Sequence, residues 1–77
     1  MNKYMEIANE NAKEGIINNE GGPFGAVIVD KDGEVISTGN NQVLKNNDPT
    51  AHAEIQAIRN ACKKLNTYDL SGYILYT

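Results

Sequence analysis

A histidine and a glutamate two positions apart, His52 and Glu54, are the residues of this sequence best suited to catalytic chemistry. His52 is the sole histidine among the 77 residues. A neutral imidazole can hold zinc, and zinc lowers the pKa of its bound water to about 7. A carboxylate beside that water can then move protons during a reaction. The pair therefore predicts a metal-assisted hydrolytic site, with His52 as a zinc ligand and Glu54 as the proton shuttle.

The residues before this pair predict that it lies where a helix starts. Asp48 is a good N-cap and Pro49 suits the first helical position, so we expect a helix from Pro49 to Leu65. Side chains in a first helical turn tilt towards the N-terminus, so His52 and Glu54 can both reach a point beyond the helix end. On spacing alone, a helix-terminal histidine that bonds to a nearby loop is the alternative role for His52.

Hydrophobic patterning predicts the elements that position the pair. Apolar residues at helical spacing predict a first helix over residues 2–18, and the apolar run 26–29 predicts a central strand covered on both faces. A turn follows at 30–33, and residues 34–39 form the second arm of a hairpin, nearer a sheet edge. Residues 73–77 predict a third strand, which we expect to run parallel to the first after a right-handed crossover.

Each predicted helix has one apolar stripe that we expect to pack on the sheet. In the first helix the stripe consists of Met1, Met5, Ala8, Ala12 and Ile16. In the second helix it consists of Ala51, Ile55, Ile58, Cys62 and Leu65. The order helix, strand, strand, helix, strand predicts an α/β fold with a mixed sheet.

Two loops carry residues that could contact a flat, polar substrate. The glycine-rich segment 18–25 contains Phe24, which is either a core residue or an aromatic ring facing the substrate. Asn41 follows the second strand and offers both a hydrogen-bond donor and an acceptor, so it can read one edge of a nucleobase. Turn formation is the alternative role for an asparagine at this place.

The composition argues against several classes of protein. A formal net charge of -3 argues against a surface built for nucleic-acid backbones, which takes clustered Lys and Arg. The single cysteine, Cys62, excludes an internal disulfide and suits a reducing compartment. The sequence has neither a signal-peptide pattern nor an apolar run of about 18 residues that could span a membrane. We therefore expect a cytoplasmic protein with a small neutral substrate.

Four segments of the chain together resemble the first half of the bacterial guanine deaminases, in the cytidine-deaminase-like superfamily: GGPFGAVIVD, GNNQ, NDPTAHAEIQAIRNACKKL and YILYT. The resemblance implies a three-layer α/β/α fold, here reduced to its helix-strand-strand-helix-strand part. It also implies that His52 binds zinc, Glu54 is the catalytic acid and base, Asn41 hydrogen-bonds the base and Phe24 lines the pocket. A zinc-activated water would attack the purine carbon that bears the 2-amino group, and guanine would become xanthine.

The sequence departs from this family in its metal ligands. The family completes its zinc site with a later P-C-x-x-C motif, which these 77 residues do not contain. Cys62 cannot replace it, because ten helical residues, about 15 Å, separate it from His52, and it suits a small buried hydrophobic position better. We expect residues 1–77 to be the N-terminal part of one deaminase domain, inactive alone and completed by further sequence or by a second chain. The resemblance also implies a homodimer.

Three functions stay open at this point. The first is deamination of guanine or a related nucleobase. The second is the activity of another zinc deaminase of the superfamily, acting on adenosine in tRNA or on cytosine. The segment 22–24, Gly-Pro-Phe, and the acidic charge favour a free base over tRNA. The third is a non-catalytic fragment or interaction module that keeps the helices and sheet without the metal.

Overall fold

Three strands and three helices follow one another in residues 2–77, the part of the chain described by a computed structural model. They are α1 (Lys3–Ile17), β1 (Gly25–Val29), β2 (Val35–Asn40), α2 (Val43–Asn46), α3 (Ala53–Leu65) and β3 (Ile74–Tyr76). Apart from the short α2, this order is the one that the sequence predicts. No helix within these residues is long and apolar enough to cross a membrane.

The strand β1 is central, in the order β2-β1-β3, and both of its faces are covered. Ala26 and Ile28 are buried in a cluster with α3, while Val27 and Val29 are buried in a cluster with α1. The alternation follows from the strand period of two residues. The continuous apolar run is therefore a central strand buried on both faces, as predicted, and the three-layer arrangement is confirmed.

The predicted direction of the third strand is wrong. Val27 pairs with Tyr76 and Val29 with Ile74, so β3 runs antiparallel to β1. The helix α3 connects β2 to β3, and a crossover over one sheet face brings the later strand back parallel to the strand it left. Since β2 is itself antiparallel to β1, β3 must also be antiparallel to its neighbour β1.

The predicted start of the second long helix is also wrong, because α3 begins at Ala53 and His52 is its N-cap. The Asp48 side chain is used elsewhere. Its Oδ1 accepts hydrogen bonds from the Thr50 main-chain nitrogen at 2.9 Å and from the Thr50 hydroxyl at 2.7 Å. Such local bonds compete with helix capping, and here they form a turn in front of the helix. The helix ends at Leu65, as predicted, and Asn66 is its C-cap.

The apolar stripe of α3 differs from the predicted one. The buried residues of this helix are Ala53, Gln56, Ala57 and Ala61, whereas Ile58 is 36% exposed. Gly39 in β2 explains the difference, since a Cβ at this glycine would lie 2.6 Å from the Ala53 carbonyl oxygen. The helix packs so closely on the strand that only small side chains fit between them. Cys62, predicted to be buried, is half-buried.

The helix α1 shows a similar departure at its C-terminal end. Ile16 is 52% exposed, and the buried residues of this helix are Ala8 and Gly15. Gly25 at the start of β1 allows close packing, because a Cβ there would overlap the Ala8 carbonyl oxygen. Met1, the first residue of the predicted stripe, lies outside the described residues.

Candidate functional site

One cavity of about 350 Å³ is lined by Phe24, Asn41, His52 and Glu54. These side chains come from three separate parts of the chain: the residue before β1, the residue after β2, and the start of α3. They are the four site residues predicted from the sequence. The fold brings all of them to one place.

Main-chain hydrogen bonds hold the three parts together. The Asn41 nitrogen donates to the Phe24 carbonyl oxygen at 3.1 Å, which joins the ends of the two hairpin strands. The Gln42 nitrogen donates to the Ala51 carbonyl oxygen at 2.9 Å, which joins the end of β2 to the residue before His52. Main-chain hydrogen bonds therefore hold the three segments in place, and with them the four side chains.

Asn41 is 9% exposed, and its side-chain orientation is fixed. Its Oδ1 accepts a hydrogen bond from the Val43 main-chain nitrogen at 3.1 Å. Because a main-chain N–H can only donate, the atom facing it must be the amide oxygen. Within residues 2–77 the amide nitrogen, Nδ2, forms no hydrogen bond. Asn41 lines the cavity, so this unused donor suits an acceptor atom on the edge of a ligand.

His52 and Glu54 lie side by side at the N-terminal end of α3. The His52 ring makes no capping hydrogen bond, and its side chain is 58% exposed. The distance from His52 Nδ1 to Glu54 Oε1 is 3.5 Å. Glu54 lies in the first turn, where the helix dipole stabilises negative charge. An accessible imidazole thus stands beside an accessible carboxylate, as acid-base chemistry requires.

Phe24 is 58% exposed, so the alternative role as a core residue is excluded. Its ring lines the cavity from the side of β1. An exposed aromatic face in this cavity is suited to contact with a flat ring system, because such faces favour stacking.

A polar cluster next to the site was not predicted from the sequence. Glu20 Oε1 accepts from Asn40 Nδ2 at 2.8 Å, and Glu20 Oε2 pairs with Lys45 Nζ at 2.9 Å. The hydrogen bond from Lys45 and, next, the one from Asn40 hold the pKa of Glu20 below its ordinary value. In sequence, Glu20 sits among asparagines and glycines and is indistinguishable from a turn residue. Its partners are 20 and 25 positions away (40 − 20 and 45 − 20), so no local pattern reveals them.

The donor set for zinc is incomplete in this part of the chain. Among residues 2–77, no group of three or more His, Cys, Asp and Glu side chains could hold a metal ion. Catalytic zinc takes about three protein ligands. His52 suits one of them, because its ring is accessible and takes no part in capping the helix. Any other ligands would have to lie outside the described residues.

Known deaminases are similar to this chain in sequence. A protein-family model described as "Cytidine and deoxycytidylate deaminase zinc-binding region" matches residues 1–77. Guanine deaminase of Bacillus subtilis (strain 168) is 61% identical over 74 residues, which are 96% of this chain and 47% of that protein. The tRNA-specific adenosine deaminase of Aquifex aeolicus (strain VF5) is 47% identical over 73 residues, which are 95% of this chain and 47% of that protein.

Solved structures give the same fold. The X-ray structure of guanine deaminase from Bacillus subtilis superposes with a TM-score of 0.90 and 52% identity, over 99% of this chain and 49% of that chain. A structure solved in complex with 2,6-diaminopurine superposes with a TM-score of 0.85 and 35% identity, over 94% of this chain and 41% of that chain. The present chain thus spans about half the length of the relatives it matches.

Proposed function

Because the chain belongs to the family of the cytidine and deoxycytidylate deaminase zinc-binding region, we propose that the protein acts in the zinc-dependent hydrolytic deamination of guanine to xanthine. The observation that carries this proposal is the single cavity lined by Phe24, Asn41, His52 and Glu54. Its volume of about 350 Å³ falls within the range of roughly 300 to 1,000 Å³ that is usual for small-molecule sites. The 61% identity to a guanine deaminase supports guanine as the base.

Each cavity residue has a distinct part in this reaction. Asn41 Nδ2 donates a hydrogen bond to an acceptor on the purine edge, and the Phe24 ring packs against the flat base. His52 holds zinc, with the remaining ligands supplied by further sequence or by a second chain. When bound, zinc supplies a Lewis acid that activates water.

Glu54 moves the protons that the reaction requires. Its carboxylate accepts a proton from the attacking water, whose oxygen bonds to the purine carbon that bears the 2-amino group. Glu54 passes this proton to the adjacent ring nitrogen, then takes the second proton from the newly formed hydroxyl group and gives it to the departing amine. The carbon–nitrogen bond then breaks, so guanine and water give xanthine and ammonia.

Adenosine deamination in tRNA is the second candidate, because the Aquifex aeolicus enzyme matches over 95% of this chain. Charge favours the free base. The formal net charge is -3, and Lys45, near the site, is neutralised by its ion pair with Glu20. Binding to a nucleic-acid backbone depends on unpaired Lys and Arg.

Parallel assays separate the candidates, using zinc-loaded protein in which further sequence or a second chain supplies the zinc ligands that residues 2–77 lack. We expect guanine to give xanthine and ammonia, and an adenosine-containing tRNA anticodon stem-loop to give no inosine. Inosine without xanthine would assign the protein to the tRNA enzymes. Failure to convert either substrate, with zinc bound, would leave a non-catalytic interaction module.

A further inference from the structure

Within residues 2–77 the Glu20 carboxylate pairs with Asn40 and Lys45, which are not cavity residues but lie on either side of Asn41 along the chain. Its Oε1 accepts from the side chain of Asn40, the preceding residue, at 2.8 Å. Its Oε2 pairs with Lys45 at 2.9 Å, on the far side of Asn41 along the chain. One carboxylate therefore ties together the end of β2 and the helix α2.

The main chain of Glu20 strengthens the same attachment. Its carbonyl oxygen accepts hydrogen bonds from the nitrogen atoms of Leu44, at 3.0 Å, and Lys45, at 2.9 Å. The helix α2 is thus fixed to the segment that precedes β1. This helix begins with Val43, whose nitrogen donates to Asn41 Oδ1. The orientation of the Asn41 amide consequently depends on where Glu20 holds α2.

Close packing adds a second connection between the two segments. A Cβ at Gly21 would overlap Asn41 Oδ1 and would lie 2.5 Å from the Asn41 carbonyl oxygen. The backbone that follows Glu20 therefore lies directly against Asn41. Because native packing leaves few voids, a displacement of this segment displaces Asn41 as well.

From these contacts we propose that Glu20 is a positioning residue, which orients the Asn41 amide and thereby sets the affinity of the cavity for its base. The inference rests on the proposed function, in which Asn41 Nδ2 donates to the base. The carboxylate is ionised at neutral pH, since Lys45 and Asn40 hold the pKa of Glu20 below its ordinary value.

A double-mutant cycle on KM tests this role in the zinc-loaded protein with guanine. We expect Asn41→Ala to raise KM about tenfold, as for the loss of one well-placed hydrogen bond, and Glu20→Ala to raise it about three- to fivefold with kcat within twofold. If Glu20 acts through Asn41, adding Glu20→Ala to the Asn41→Ala protein raises KM less than about twofold further. An equal factor in both backgrounds would overturn the proposal.

Two variants control for structural damage. Glu20→Gln keeps an oxygen for Asn40 but loses the ion pair with Lys45, so its KM should lie between those of the native protein and Glu20→Ala. Glu10→Ala removes an exposed pair with Lys13 at 3.6 Å and leaves KM unchanged. If Glu20→Ala fails to fold by circular dichroism, Glu20→Asp replaces it, because its shorter side chain draws the carboxylate away and raises KM in the same way.

Hydrogen exchange of the Val43 amide provides a readout that needs no activity. The Val43 nitrogen is bonded to Asn41 Oδ1, so Glu20→Ala should accelerate its exchange about fivefold or more, while Glu10→Ala leaves it unchanged. An unchanged Val43 rate would overturn the positioning role. If the native protein does not deaminate guanine, the proposed function fails, and the exchange rate still decides whether Glu20 orients Asn41.

Discussion

Glu54 is the carboxylate among the four residues that line the cavity. Glu54→Gln keeps its size and removes its ability to carry protons. We expect kcat for guanine to fall at least about 100-fold, the usual contribution of a general acid-base, with zinc content and melting temperature unchanged. Steady-state ammonia release and metal analysis measure both quantities.

The matched control for this change is Glu34→Gln, since Glu34 is an exposed glutamate outside the cavity. It should retain full activity. A Glu54→Gln protein that keeps more than about a third of the native kcat would exclude Glu54 as the proton shuttle.

Truncation of Phe24 should weaken substrate binding without lowering the stability of the protein. Because its ring is 58% exposed, truncation removes little buried area, and we expect the melting temperature of Phe24→Ala to remain close to native. Stacking of a base on an aromatic ring contributes about 1 to 3 kcal/mol, so KM for guanine should rise at least about fivefold. Tyr68→Ala, which truncates an aromatic residue that is 96% exposed, should change neither quantity. A lower melting temperature with native KM would make Phe24 structural.

Among single residues, the sequence was informative where chemistry is local. Four site residues could be selected because their types and order match a known motif: His52, Glu54, Asn41 and Phe24. In the structure they line one cavity. Their roles in binding and catalysis stay predictions. Glu20 could not be selected, because its partners are reached only through the fold.

At the scale of elements, the contact between α3 and β2 decides which helix face is buried. Ala57 is fully buried against Gly39, while Ile58 is 36% exposed. We expect Ala57→Leu to destabilise the protein by about 1 to 3 kcal/mol or more, because no space exists for a larger side chain. Ile58→Ala should cost less than Ala57→Leu. Urea unfolding measures the loss in free energy of unfolding for each variant. A larger loss for Ile58→Ala than for Ala57→Leu would favour the predicted stripe that contains Ile58.

The link between Glu20 and α2 makes stability depend on pH. The folded state lowers the pKa of Glu20 from the ordinary value of 4.5, first through Lys45 and then through Asn40. A lowered carboxyl pKa stabilises the fold above the unfolded pKa, and the stabilisation is lost as pH falls through the folded pKa. The stability difference between the native protein and Glu20→Gln should therefore be full at neutral pH and shrink below pH 4.5.

Unfolding free energies measured from pH 7 downwards test this dependence. The difference between the native protein and Glu20→Gln cancels the titration of other carboxyls, such as Asp48 and Asp69, whose pKa values are also lowered. Glu10→Gln is the control, because its pair with Lys13 is exposed and contributes little. A difference between native and Glu20→Gln that is constant with pH would contradict the ion pair.

The elements themselves were predictable to different degrees. The strand β1 follows from an uninterrupted apolar run, which is buried on both faces as expected. The start of α3 did not follow from its capping signal, because Asp48 bonds Thr50 instead. Helical periodicity also could not identify the buried alanines, since it contains no information on how closely Gly39 lets the helix approach. The direction of β3 was wrongly predicted, because the crossover through α3 starts from β2, which is antiparallel to β1.

For the whole molecule, the described residues bring to one cavity an amide proposed to contact the base, an exposed aromatic ring, a carboxylate proposed to carry protons and one candidate zinc ligand. They match 47% of the length of two deaminases, so the rest of the catalytic site is proposed to come from further sequence or a second chain. Homodimer formation and a cytoplasmic location stay predictions. The family assignment itself rests on a match across residues 1–77.

The most direct test of the proposed reaction is incubation of the zinc-loaded protein with guanine in water labelled with oxygen-18. Mass spectrometry should find xanthine that carries one labelled oxygen, with one ammonia released for each guanine consumed. The Glu54→Gln protein, at equal zinc content, should form this product at least about 100-fold more slowly. Unlabelled guanine recovered intact from the native, zinc-containing protein would contradict guanine deamination.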